Sequence, residues 1–244
     1  MLRLRFEDRS QLFENDAKVI ILPLSQIDKE TAGEYKKRLF AEIPSVVWEK
    51  DTDTVKEQLK RLKSFGIYDV VAENIGAVNM ASELGMNIHG GMTLNILNST
   101  ALHEYYELGL CDATLSFELA FSKMRRIKHE IPIGFVGYGY LPLMKFRACP
   151  SKAAGGCASC DGRPVLTDRM DERFQMICHG KKYSELLNCV PLYVADKTVP
   201  DVDFQTLYFT VEDKASAEKI YNMYKGFEPA DFRRTAGLYF RELQ

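Results

Sequence analysis

Eight short runs rich in apolar and β-branched residues alternate with longer stretches of helical period along this 244-residue chain, and that order narrows its fold more than any other feature. Strands that alternate with helices pair as parallel neighbours joined by right-handed crossovers. The runs are residues 2–6 (LRLRF), 18–24 (KVIILPL), 41–47 (AEIPSVV), 68–74 (YDVVAEN), 87–95 (NIHGGMTLN), 112–117 (DATLSF), 131–139 (IPIGFVGYG) and 204–211 (FQTLYFTV). Between them, VKEQLKRLKSFG places Val55, Leu59 and Leu62 on one helical face before Gly66, and ALHEYYELG stops in the same way at Gly109. FELAFSKMRRIKHE reads as a helix opening near Ser116 and Glu118, and KASAEKIYNMYKGF as one capped by Asp213. Eight strands with about seven helices predict an α/β chain folded as a TIM-like (β/α)8 barrel, although an open doubly wound sheet uses the same alternation.

The alternation breaks at about residues 141–203, where Pro, Gly and Cys punctuate a long insertion between strands seven and eight. A connection of that length normally has a function, and one leaving the C-terminal end of a barrel strand would roof the mouth where barrel active sites are built. No repeat, low-complexity tract or linker divides the chain, so residues 1–244 read as one domain. With 32 Lys and Arg against 34 Asp and Glu there is no global basic field, and a DNA partner is not expected. No stretch reaches the apolar length of a membrane span, and the first residues show no secretory signal, so a cytoplasmic location is the expectation.

Six cysteines in a reducing compartment point to catalysis or metal binding before disulfides. Four of them cluster in the insertion as Cys149-x7-Cys157-x2-Cys160-x17-Cys178. The two-residue gap lets two thiolates from one turn meet a single centre, and Gly155, Gly156 and Gly162 let the backbone wrap it. Four thiolates close a tetrahedral zinc site, or each binds one iron of a 4Fe-4S cube; ligand type alone does not choose. Cys111 and Cys189 read as small core residues, the latter in a helical piece, ELLNCVPL.

The pieces YGYLPLMKFRACP, CASC, LTDRMDERFQMIC, SELLNCVPL and RRTAGLYFRE resemble the peptidase U32 family, the collagenase-like proteases. NIGAVNMASELG, NIHGGMTLNILNST and ATLSFEL extend the resemblance upstream. It implies a TIM-like barrel bearing a cysteine-ligated 4Fe-4S cluster. It also implies oxygen-independent hydroxylation of an RNA base or a small aromatic quinone precursor, with prephenate as oxygen source. On this resemblance Cys149, one of Cys157 and Cys160, and Cys178 fall on cluster ligands. Pro142 stands where quinone-pathway relatives have a cysteine, so the CxxC pair must supply two ligands, and zinc remains the alternative cofactor. A paired subunit of the same family, RNA, or a small carboxylated substrate are the partners implied. Two other readings are a collagenase-like metal-binding peptidase and a non-catalytic accessory protein with a structural zinc.

His89 is expected at the mouth end of strand five, with Gly90 and Gly91 admitting a ligand. His89 and Glu118 are the catalytic candidates; the substrate-binding candidates are Asn74, His89, Asn95, Tyr138, Arg147 and Arg169. Glu73 and Glu118, from two strand ends, would bring carboxylates to one mouth, the plain alternative being helix capping. Asp168 and Arg169 would pair locally or offer the arginine fork to a carboxylate. Tyr138, Tyr140, Lys145, Arg147 and Lys152 would make an aromatic and basic surface near the cysteines. Neither a GxSxG elbow nor an HExxH motif is present, so nothing beyond the family resemblance points to peptide hydrolysis.

Overall fold

The computed structural model describes residues 1–241, so Glu242, the last residue of the RRTAGLYFRE motif, lies outside the described residues. Seven parallel strands run β1 (Leu2–Phe6), β2 (Val19–Pro23), β3 (Leu39–Glu42), β4 (Asp69–Ala72), β5 (Asn87–Gly90), β6 (Leu110–Thr114) and β7 (Ile133–Gly139). The insertion holds β8 (Pro142–Phe146), β9 (Val165–Thr167), β10 (Arg173–His179), β11 (Tyr183–Leu187) and β12 (Leu192–Tyr193), and β13 (Phe204–Phe209) follows it. β13 lies parallel between β7 and β1, and β6 pairs with β7, so eight strands close a barrel and all eight sequence runs find a place in it.

The helices are α1 (Lys29–Tyr35), α2 (Thr52–Ser64), α3 (Ile75–Glu83), α4 (Ser99–Glu107), α5 (Phe121–Met124), α6 (Pro150–Ala153) in the insertion, and α7 (Lys214–Gly226). Asp28, Asn74, Asn98 and Asp213 cap α1, α3, α4 and α7 by accepting a backbone N–H with the side chain. Val55, Leu59 and Leu62 of α2 are buried in the outer core, as their spacing requires. Among the described residues no helix is long and apolar enough to cross a membrane.

Three expectations need correction. The third strand ends at Glu42 rather than running through 41–47, because Pro44 cannot donate to a ladder and the chain turns there toward α2. The helix expected from Ser116 onward shrinks to α5. The N–H of Phe121 is spent on Tyr239 O at 2.8 Å and its ring stacks on Tyr239 at 4.4 Å, so the C-terminal tail takes the space. ELLNCVPL is not helical: its first residues belong to β11, paired on one side with β10 and on the other with β8, and those ladders outweigh local period. The insertion is thus a four-stranded antiparallel sheet, in the order β8-β11-β10-β9.

The barrel interior is unusual for its charge. In β1, Leu4 and Phe6 point outward into the core beneath the helices, and Arg3 and Arg5 point inward. Toward the N-terminal end, Arg3 makes a bidentate pair with Asp112 at 3.0 and 2.7 Å and lies over the Phe204 ring. His89 bonds Asp112 at 2.7 Å and Asp69 at 3.2 Å, stacked on Phe40 at 4.0 Å. Val19, Ile21 and Val71, with Phe40, form a small apolar cluster of their own. Arg5 forms the second charged layer, toward the mouth.

Removing one partner of a buried, hydrogen-bonded ion pair leaves the other charge unpaired and costs about 3–5 kcal/mol. Asp112→Ala, which leaves Arg3 without its carboxylate and His89 with Asp69 alone, is expected to lower the free energy of unfolding by an amount in that range, read from urea denaturation with an unchanged m-value.

Candidate functional site

The C-terminal mouth of the barrel opens into a pocket of about 340 Å³ roofed by the insertion. Its floor is the second charged layer. Arg5 donates to Glu42 through Nε at 3.0 Å and Nη2 at 2.5 Å, pairs with Glu7 at 2.6 Å, and lies over the Tyr208 ring at 4.2 Å. Tyr208 donates to Glu42 at 3.3 Å. Burial works against the Arg5 charge, yet Glu42, Tyr208 and Glu7 hold its guanidinium well above the usual arginine value. One wall is Glu73, just past β4, whose Oε2 accepts Thr93 N at 2.8 Å and Thr93 Oγ1 at 2.6 Å. Burial first, and the Glu42 charge second, push the Glu73 carboxyl up.

The roof consists of β10, β11 and the end of β8. Lys145 lies 3.6 Å from Glu185, and His179 lies 3.7 Å from Glu7 and 3.8 Å from Glu185 while stacking on Tyr183 at 4.4 Å. These separations exceed direct hydrogen bonds, so the roof charges are loosely matched. Glu185 is buried, but His179 and Lys145 hold its carboxyl below the ordinary range despite that burial.

On the far side of the β10–β11 hairpin lies a second cavity of about 650 Å³, lined by Cys149, Cys157, Cys160 and Cys178 together with Arg147, Lys152 and Lys181. Cys178 and Tyr183 line both cavities, so the hairpin is the partition between them. Backbone N–H groups point at the sulfurs: Gly162 N reaches Cys160 Sγ at 3.3 Å and Lys181 N reaches Cys178 Sγ at 3.4 Å. At Cys149, burial raises the thiol, but the N–H groups of Lys152 and Ser151 prevail and draw it below its usual value. Ser184 stands beside Cys178 in the β10–β11 register, and its wholly buried hydroxyl has no hydrogen-bond partner among the described residues. Among the described residues, no three His, Cys, Asp or Glu side chains are grouped to hold one metal ion. The donor set nevertheless suits a thiolate-held centre. Four thiols share one cavity, three cations lie within reach of their negative charge, and backbone N–H donors face two of the sulfurs.

Only part of the set expected from sequence meets here. The four cysteines and Arg147, whose guanidinium lies over the Trp48 ring at 4.9 Å, line the second cavity, and Lys145 and Glu73 reach the mouth. His89 is at the opposite end of the barrel, because it alternates inward one layer below Gly91 and is held by Asp112 and Asp69. Gly90 is filled by Leu110 and Leu94, and Gly91 makes room for the Glu73 carboxyl; neither admits a ligand directly. Tyr138 is buried in the outer core and donates to Glu212 at 2.7 Å, away from the basic surface expected of it. Glu118 is exposed and outside the mouth pocket; its N–H donates to Ser116 Oγ. Asn74 caps α3 and donates to Ser45 O, and Asn95, in the left-handed region at φ 55°, accepts from Ser116. Arg169 is exposed on the β9–β10 turn, where Asp168 accepts the N–H groups of Met170 and Glu172 instead of pairing with it. Cys111 is exposed and Cys189 half-buried, so neither is a core residue.

Arg5, Glu42, Tyr208 and Glu185 were not singled out from the sequence. The available signal was LRLRF itself: two arginines at strand period between fully buried apolar residues must face the barrel interior and need carboxylates there.

A family model described as peptidase family U32 matches residues 25–161, more than half of the chain and including three of the four clustered cysteines. The chain is 26% identical over 168 residues to an uncharacterized protease of Methanocaldococcus jannaschii, a match covering 62% of this chain. It spans 41% of that relative's length. No solved structure matches.

The two carboxylates at His89 set a pH dependence. Burial disfavours the imidazolium, but Asp112 and Asp69 prevail and raise the His89 pKa above its ordinary value. A raised folded value stabilises the protein fully below the unfolded value of about 6.5, and that contribution is lost as pH rises through the folded value. The melting temperature of the wild type is therefore expected to fall over that window, and that of His89→Gln to stay flatter, in a calorimetric pH series.

Proposed function

Because the chain belongs to the peptidase U32 family, we propose that it is an iron-sulfur enzyme, or the cluster-bearing component of one, for oxygen-independent hydroxylation of an RNA base or small aromatic substrate. The observation that carries this reading is the shared partition. Cysteines dispersed over thirty residues of sequence line one cavity, and Cys178 with Tyr183 also lines the polar mouth pocket next to it. Cys149, Cys157, Cys160 and Cys178 would hold a 4Fe-4S cluster, which when bound supplies one-electron transfer. The protein's own residues supply the rest. Arg147, Lys152 and Lys181 offset the charge of the four thiolates, and the N–H groups of Gly162 and Lys181 stabilise two of them. Tyr183 and His179, stacked on each other, wall the substrate pocket on the cluster side. Arg5, fixed by Glu42 and Glu7, gives the pocket floor a preorganised charge pattern that needs no rearrangement on binding.

The Methanocaldococcus relative's name favours a hydrolytic reading, for which buried Glu42 and Glu73 would be the acid–base groups. Cleavage of gelatin that is lost in Glu42→Gln would support it.

Anaerobic purification followed by iron, sulfide and zinc analysis tests the main proposal. Iron and acid-labile sulfide are expected in equal amounts, about four of each per chain, with visible thiolate-to-iron absorption that Cys178→Ser removes. A colourless protein with one zinc per chain and no sulfide overturns it.

A further inference from the structure

We propose that Ser184 is a positioning residue of the thiol-lined cavity, whose hydroxyl donates a hydrogen bond to the Cys149 sulfur when the four cysteines hold a metal centre. This deepens the reading of that cavity and rests on the cysteines being ligands. Ser184 lies in the middle of β11, between Cys178 of β10 and Phe146 of β8. Side chains alternate along a strand, and paired residues of an antiparallel ladder share a face. Glu185 and its β8 partner Lys145 face the mouth pocket, so Ser184, Cys178 and Phe146 form the adjacent row on the other face, toward the thiols. Cys178 N–H donates to Gly162 O, away from β11. Cys178 and Ser184 are therefore a non-hydrogen-bonded pair, the kind whose side chains approach most closely. β8 ends at Phe146, and Cys149 follows it closely as the N-cap of α6.

The hydroxyl is short of an acceptor. Ser184 is 0% exposed, and its Oγ is sealed from solvent with no hydrogen-bond partner among the described residues. Buried polar groups are nearly always paired, so an orphan of this kind calls for an acceptor. Phe146 offers none, Glu185 is on the mouth face, and the Tyr183 hydroxyl faces that of Ser45 at 3.3 Å. Sulfur remains. A hydroxyl has one proton to give, and the Cys178 sulfur already receives the Lys181 N–H at 3.4 Å, which leaves Cys149. The hydroxyl is near enough to help the Lys152 and Ser151 N–H groups draw the Cys149 thiol down, although it completes no hydrogen bond there. A thiol that becomes a metal-bound thiolate gains negative charge and accepts more strongly, so ligation would complete the bond that the row of side chains prepares.

The test compares the full chain, purified anaerobically, as wild type and as Ser184→Ala. Release of the bound metal to a chromogenic chelator is expected to show about 10- to 100-fold weaker retention in Ser184→Ala, the usual effect of removing a hydrogen bond to a ligand. Where the centre contains iron and sulfide, its reduction potential is expected to shift to more negative values, because the lost donor no longer draws charge from the ligand sulfur. A merely structural hydroxyl would show instead in protein stripped of metal. There the thermal midpoint of Ser184→Ala is expected to equal or exceed that of wild type, since no hydrogen bond is lost with an unpaired hydroxyl. Equal retention in the two proteins overturns the proposal, as does a stripped Ser184→Ala that melts well below wild type. Zinc in place of iron and sulfide, with retention still lost in Ser184→Ala, overturns the iron-sulfur reading and leaves Ser184 in this role. Iron and sulfide held equally by both proteins does the reverse, and a wild type that takes up neither iron nor zinc overturns both.

Discussion

Two arginines two residues apart in the first strand govern the interior of this barrel. Arg3 and Arg5 must point inward because Leu4 and Phe6, on the other face of β1, pack under the helices. A buried guanidinium is tolerated only when paired and hydrogen-bonded, so the barrel has to bring carboxylates to it from other strands. Asp112 comes from β6 and Glu42 from β3, and each pairing links β1 to a strand that is not its ladder neighbour. A slip of β1 by one residue would turn both arginines into the outer core, so the ion pairs reinforce the register that the outer apolar face sets.

The two arginines have different consequences. Arg3, with Asp112, His89 and Asp69, sits toward the N-terminal end, where barrel residues serve stability. Arg5 lies where the barrel meets the insertion, and the carboxylates it does not fully neutralise set the chemistry of the mouth. Burial and then the charge of Glu42 push Glu73 up, while His179 and Lys145 hold Glu185 down against its burial. Carboxyls driven in opposite directions within one pocket are the usual arrangement for acid–base work. The insertion then adds a separate thiol-lined cavity that shares a wall with this pocket, so the thiols lie close to the mouth carboxyls without sharing one solvent space.

The strand order, the Asp213 cap and the cysteine grouping were readable because each rests on local chemistry: β-rich apolar runs, Asp before a helix, and thiols at short spacing. His89, Tyr138 and Glu118 were misplaced because strand direction does not say which face or which layer a side chain occupies. His89 faces inward but one layer too low, Tyr138 faces outward, and Glu118 lies beyond the strand end. ELLNCVPL was misread because its apolar residues fit a helix as well as a strand, and only the flanking β8 and β10 decide between them.

By itself, then, the sequence determined an alternating barrel and a cysteine-rich excursion after its seventh strand, since these follow from periodicity and spacing, while the inward charge of β1 was written in LRLRF but went unread. Only the tertiary structure decided which carboxylates answer it, that the cysteine excursion folds into a sheet with its own cavity, and that Glu73 rather than His89 faces the mouth. Those outcomes depend on contacts between residues far apart in the chain, and barrel closure fixes their layer and direction.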